Sequence, residues 1–164
     1  GPRDFAQASR TGNAALIARV ASAVGAPAGS KKLLELHAGA GNLSRALVAA
    51  GWDVYASDVV APPRPATPRF VVGEAAAIVD AAVIGKTAFD TVVLDPPRTG
   101  AFDAMPGLVK LSPRVIVYVS CDPATLARDL DHLVAAGYRA TDACPIDLMP
   151  QIAHVEVVAR LVRP

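Results

Sequence analysis

Apolar positions along the chain switch between two spacings, and the switches mark out alternating helices and strands. From Gly12 to Val24 the residues Leu16, Ile17, Val20 and Val24 recur at helical spacing, and Gly25 and Pro27 stop the pattern. Lys32 to His37 reads as a short strand, Ala38-Gly39-Ala40-Gly41-Asn42 as a turn, and Leu43, Leu47 and Val48 as a helix face ending at Gly51. Val54 and Tyr55 belong to a strand that ends at Asp58. The stretch Pro62 to Pro68, with four prolines, is incompatible with regular structure and reads as a surface loop. Phe70-Val71-Val72 is a brief strand, Ala75 to Ile84 a helix stopped near Gly85, and Phe89 to Leu94 a strand closed by Asp95-Pro96-Pro97. Val115 to Val119 is a further strand. Asp122-Pro123 then supplies a cap and a first-turn proline for a helix with the stripe Leu126, Leu130, Leu133 and Val134, stopped at Gly137. Ile152 to Val162 alternates enough for a final strand, with Tyr138 to Cys144 as its partner.

Repetition of strand, turn and helix predicts a mostly parallel sheet with helices on both faces, an α/β fold. The chain has 164 residues, 52% of them hydrophobic, which suits a single domain spanning residues 1–164. Gly1-Pro2 reads as a cloning remnant. A net charge of +1 provides no basic surface broad enough to coat a phosphate backbone, so a polyanionic partner has to be gripped locally. Cys121 and Cys144 stand 23 residues apart without metal-ligand spacing, which argues against a metal centre and a disulfide framework and for a reducing compartment. No apolar run reaches 18 residues, and no signal peptide is recognisable, so a membrane partner is not expected.

Three places carry candidate chemistry. Cys121 lies where a strand meets a helix, so backbone N–H groups and the helix dipole favour its thiolate; the competing reading is a core-filling thiol. Gly39 and Gly41 form a loop on which a ligand can lie against backbone. Ser44 stands where a dinucleotide fingerprint would have its third glycine, which disfavours a nicotinamide cofactor. Asp58, 17 residues after Gly41, is placed to accept from ribose hydroxyls, so the pair suits an adenosine cofactor. In Asp95-Pro96-Pro97-Arg98 the prolines hold the Asp95 carboxylate at a strand's carboxyl end, where open α/β sheets bind ligands, and Arg98 is available to phosphate. His37, His132 and His154 are too scattered for a metal triad. Cys144 reads as core, and Lys31, Lys32, Arg128 and Arg160 read as solvated.

Together these pieces resemble the RNA uracil-5 methyltransferases, which use S-adenosylmethionine (SAM). The resemblance runs through Phe5-Ala6-Gln7, Leu34 to Asn42, Asp95 to Ala101, Val117 to Leu130 and Pro150 to Glu156. It implies the class I SAM-dependent methyltransferase fold, with Cys121 as nucleophile and Glu156 as general base. Around SAM it implies Gln7, His37, Gly39, Gly41, Asn42, Asp58, Glu74 and Asp95, and toward the substrate Asp95, Pro96 and Arg98. The family's usual aromatic residue, cysteine and glutamate are replaced here by His37, Ala38 and Asp58, which implies altered contacts to the cofactor.

The chemistry fits these residue types. A thiolate added to C6 of uracil turns C5 into an enolate carbon, and a carboxylate must later remove the C5 hydrogen. The implied partner is an RNA with a single-stranded or loop uridine, since a duplex hides C6. The implied protein is a cytoplasmic monomer working on tRNA or rRNA, with neither metal nor iron–sulfur cluster. Two other readings stand beside this one. The first is an inactive SAM- or RNA-binding module, or a catalytic fragment of a larger methyltransferase; the second is amino methylation of a base or protein, which needs no thiol.

Overall fold

A computed structural model describes residues 10–148 and 155–164. Seven strands form one sheet in the order β3-β2-β1-β4-β5-β7-β6. These are β1 (Lys32–Leu36), β2 (Asp53–Asp58), β3 (Phe70–Val72), β4 (Thr91–Leu94), β5 (Val115–Ser120), β6 (Arg139–Asp147) and β7 (Val155–Val162). The first five run parallel; β7 enters antiparallel between β5 and β6. From β1 the chain builds outward through β2 to β3, then returns to place β4 on the other side, which makes the β1–β4 boundary a switch point for ligand binding.

Helices α1 (Arg10–Val24) and α2 (Asn42–Ala49) cover one face, packing Leu16, Val20, Leu43 and Leu47 on Leu33, Val54, Val93, Val117 and Val158. Helices α3 (Ala75–Ile84), α4 (Met105–Leu111) and α5 (Pro123–Ala135) cover the other, with Val79, Met105, Leu108, Leu126 and Leu133 against Leu34, Val92, Ile116 and Leu161. All six residues of β5 are buried, as a central strand covered on both faces requires. Each fully buried Leu or Val contributes about 1.5–3 kcal/mol of transfer free energy.

Several boundaries differ from the sequence reading, each for a local reason. The helix α4 and the 3-10 turn before it (Phe102–Ala104) carry no sequence signal, because Pro106 and Gly107 interrupt the apolar pattern; Pro106 falls in the first turn, where its missing N–H costs nothing. Strand β4 begins at Thr91 because Phe89 turns edge-on to Tyr55 and the Asp90 carboxylate holds Arg114. Strand β6 continues through Pro145 to Asp147, which an edge strand permits. Cys144, expected in the core, is only half-buried, because β6 lies at the sheet edge and none of its residues is fully covered. The expected strand residues Ile152, Ala153 and His154 lie outside the described residues.

Candidate functional site

The loop after β1 is built for close approach. His37 and Gly39 adopt positive φ (60° and 51°), and Gly41 (78°) caps α2. A Cβ on Gly41 would stand 2.8 Å from the Ala66 Cβ, so the proline-rich loop seals that side; a Cβ on Gly39 would meet no heavy atom within 4 Å. Asp58 accepts from the Gly39 N–H at 2.8 Å and from the Val60 N–H at 3.2 Å, tying the end of β2 to the glycine loop. Asn42 donates to Asn13 at 2.6 Å and so links α2 to α1. Ser44 donates to Glu35 at 2.5 Å, and both are buried. Burial, the dominant cause, and the nearby Asp95 charge push Glu35 up to about 7 against the Ser44 hydrogen bond. The sequence pattern concealed this pair, since Glu35 sits inside an apolar strand.

Beside the loop lies a cavity of about 320 Å³, walled by His37, Glu74, Thr99, Phe102 and Arg128 among others. The Arg128 guanidinium lies 5.0 Å from the centre of the Phe102 ring. The His37 Nε2 is buried and has no hydrogen-bond partner among the described residues. Burial pushes the imidazole pKa down, and the charges of Asp58 and Glu74 pull it back. Glu74 caps α3 through its backbone, leaving its carboxylate free of any helix-cap bond.

On the other side of the switch point, three acidic or nucleophilic side chains converge. The β5–β7 ladder ends with Ser120 opposite Val157, so Cys121 follows the last paired residue of β5 and Glu156 precedes its partner on β7, close enough for the Glu156 charge to act on the Cys121 thiol. Asp95 follows β4, whose Leu94 pairs with Tyr118 of β5. The Asp95 residue is open to water at the cleft, yet protein crowds its carboxylate; that crowding first, and the Glu156 charge second, push it up to about 7. Pro96 is buried, which anchors the strand exit. The Arg98 guanidinium stands 3.5 Å from the Asp122 carboxylate, and the Asp122 carboxylate also accepts from the Ala124 and Thr125 N–H groups, capping α5 as the sequence predicts.

Cys121 is half-buried at the start of that helix. Its thiol is pushed up, by burial first and by Glu156 second, against its own backbone N–H and the Arg98 charge, which pull it down. The helix terminus, which favours the thiolate, is thus opposed by burial of the sulfur and by the Glu156 charge. Gln7 lies outside the described residues. Among the described residues no helix is long and apolar enough to cross a membrane, and no group of three or more His, Cys, Asp or Glu could hold a metal. Arg128 and Arg160, expected to be solvated, bind protein instead: Arg160 donates to the Ala23 carbonyl at 2.8 Å and Arg128 to Asp129 and Thr99.

Comparison with known proteins adds to this geometry. A family model described as tRNA (Uracil-5-)-methyltransferase matches residues 77–163. The 23S rRNA (uracil(1939)-C(5))-methyltransferase RlmD of Pseudomonas putida is 37% identical over 169 residues, covering 96% of this chain and 37% of the relative, so the chain spans little more than a third of that protein's length. The Pyrococcus abyssi tRNA (uracil-54, C5)-methyltransferase, solved in complex with S-adenosyl-L-homocysteine, superposes with a TM-score of 0.75 at 30% identity, over 98% of this chain and 41% of that one. At 16% identity the magnesium protoporphyrin IX methyltransferase of Synechocystis shares the fold alone, with a TM-score of 0.68 over 100% of this chain and 89% of that one.

Proposed function

The chain belongs to the tRNA (uracil-5-)-methyltransferase family, and from that premise we propose that it is the catalytic domain of an enzyme that methylates C5 of a uridine in RNA, with SAM as methyl donor. The observation that carries this reading is the meeting of Cys121, Glu156 and Asp95 beside a glycine loop. A metal-free base methylation by covalent addition needs a thiol and a carboxylate in that relation.

The glycine-loop side fits SAM. Gly39 faces open space, the Asp58 carboxylate stands at the loop where a ribose would need an acceptor, and the cavity holds an unpartnered His37 nitrogen beside Glu74. In this reading His37, Gly39, Gly41, Asn42, Asp58, Glu74 and Asp95 hold the cofactor, with Gln7. When bound, SAM supplies a sulfonium methyl that an enolate carbon can take. Cys121 loses its proton to solvent, and its sulfur adds to C6 of the uracil, breaking the C5=C6 double bond and placing the electron pair on C5 and the O4 enolate, which makes C5 nucleophilic. After methylation Glu156 removes the C5 hydrogen; the electron pair restores C5=C6 and expels the Cys121 thiolate. Asp95, Pro96 and Arg98 face the uridine in this reading. The Asp95 carboxyl, poised near neutrality, can donate or accept a hydrogen bond there.

The uridine must present C6 to the sulfur, so the substrate is a single-stranded or loop position, or one flipped from a stem. The relatives named above act on rRNA and tRNA, and a monomer working on cytoplasmic RNA fits the same reading. The test is incubation with SAM and RNA containing 5-fluorouridine, whose C5 fluorine blocks the final elimination. The wild type gives a denaturation-resistant protein–RNA adduct and Cys121→Ala gives none. An adduct that persists in Cys121→Ala overturns Cys121 as the nucleophile, and methylation that survives that change without an adduct overturns the covalent mechanism in favour of amino methylation. Binding of S-adenosylhomocysteine without adduct or methyl transfer on total RNA marks an inactive binding module.

A further inference from the structure

One buried carboxylate ties the loop after β4 to β5 and α5. Asp129, on α5, is 0% exposed. Its Oδ2 accepts from the Tyr118 hydroxyl at 2.5 Å and the Ala101 N–H at 2.7 Å; its Oδ1 accepts from the Arg128 Nε at 2.9 Å and Nη2 at 2.7 Å. From the same helix, Arg128 Nη2 donates to the Thr99 carbonyl at 2.9 Å and the Thr125 hydroxyl to the Arg98 carbonyl at 3.1 Å. Gly100 between them has a φ of 78°, and a Cβ there would stand 2.6 Å from Asp129 Oδ2 and 2.7 Å from Arg128 Nη2. Four successive residues, Arg98 to Ala101, are thus fitted against one helix face.

The arrangement is costly if its purpose is only to hold a loop. A fully buried carboxylate carries a desolvation penalty of several kcal/mol, and apolar packing would secure a loop without it. What a carboxylate adds is direction, because its two oxygens fix two different donors at once. The helix so engaged is the one whose first residues follow Cys121.

We infer that Asp129 is a positioning residue: with Thr125 and Arg128 it locks the Asp95–Ala101 loop to the start of α5, so that the Arg98 guanidinium stands beside Cys121 and Thr99 to Ala101 form one wall of the cavity. The inference rests on the proposed function for its catalytic meaning, but its structural core concerns the thiol alone. The charged groups around Cys121 are Glu156 on β7, Asp122 at the start of α5 and Arg98 on the loop after β4. Of these only Arg98 is cationic. Releasing the loop removes the one cation among the described residues whose charge favours the thiolate.

The test compares Asp129→Asn, Thr125→Val and, as a control on the exposed side of the same helix, Asp131→Asn. The first readout is the pH profile of Cys121 alkylation by iodoacetamide, resolved from Cys144 by peptide mass spectrometry. The second is the rate of adduct formation with 5-fluorouridine RNA at saturating SAM. Asp129→Asn and Thr125→Val are expected to slow alkylation at pH 8 by about threefold or more through a higher midpoint, and adduct formation by about tenfold or more, with Asp131→Asn unchanged. A merely structural contact would lower the melting temperature without moving the alkylation midpoint. An unmoved midpoint in Asp129→Asn therefore overturns the inference. Should Asp129→Asn fail to fold, Thr125→Val decides by the same criterion. A wild type that forms no adduct sinks the proposed function, while the alkylation comparison still judges the inference.

Discussion

The two halves of the sheet's carboxyl end solve opposite electrostatic problems. On the glycine-loop side, Asp58 is satisfied in advance by backbone N–H groups, and the loop needs only a ligand to lie on it. On the thiol side, Cys121 and Asp95 are each pushed up in part by the charge of Glu156, so the Asp95 carboxyl keeps a proton close to neutrality that an ordinary carboxylate would have lost, and the thiol is held further from ionisation. One half is prepared for binding and the other for proton movement. The first is held by backbone geometry and should fail through strain; the second is held by charge and should fail through titration.

The sharpest way to break the contrast is Glu156→Gln. Loss of the general base should reduce turnover by about 10²–10⁴-fold, and the methylated adduct should accumulate even on ordinary uridine RNA, visible as a shifted band on a denaturing gel. Equal loss of adduct and turnover would move Glu156 to an earlier role. On the binding side, Gly41→Ala should cost about 1–3 kcal/mol of stability, because its Cβ collides with Ala66 and its φ is positive. Gly39→Ala, with open space around it, carries backbone strain of about 1 kcal/mol, so an additional loss of S-adenosylhomocysteine affinity by calorimetry would mark the approach of ligand to that loop.

A smaller effect tests the charge argument. Glu156→Gln should shift the midpoint of Cys121 alkylation toward lower pH, since the second cause holding the thiol up is removed. The smallest concerns stability. The Glu35 value in the folded chain is about 7 against an ordinary 4.5, so the stability it contributes is complete below about pH 4.5 and is lost as pH rises to about 7. Urea midpoints at pH 5 and pH 8 should therefore fall less in Glu35→Gln than in the wild type; Asp95, raised in the same direction, leaves part of the fall in place.

Strands and their order of appearance were readable because buried parallel strands are continuous apolar runs, and β5 is the clearest of them. Cys121, Asp95 and the glycine loop were readable because each sits at a strand end, where chain direction and turn residues coincide. The remainder depended on partners far along the chain. Asp129 follows the helical polar pattern and looks like a surface residue until Tyr118 and Ala101 are brought to it. Glu35 looks like a strand residue facing solvent until α2 delivers Ser44. The surroundings of the thiol divide in the same way: the helix terminus is local in sequence, whereas the opposing carboxylate of Glu156 arrives from 35 residues away.

The insertion of β7 between β5 and β6 makes the thiol side depend on one strand. The parallel strands and the glycine loop are joined without β7, whereas Glu156 reaches the thiol only from that strand in its slot. In the proposed reading, a chain in which β7 is displaced from its slot keeps the glycine loop but parts the thiol from the carboxylate it is paired with.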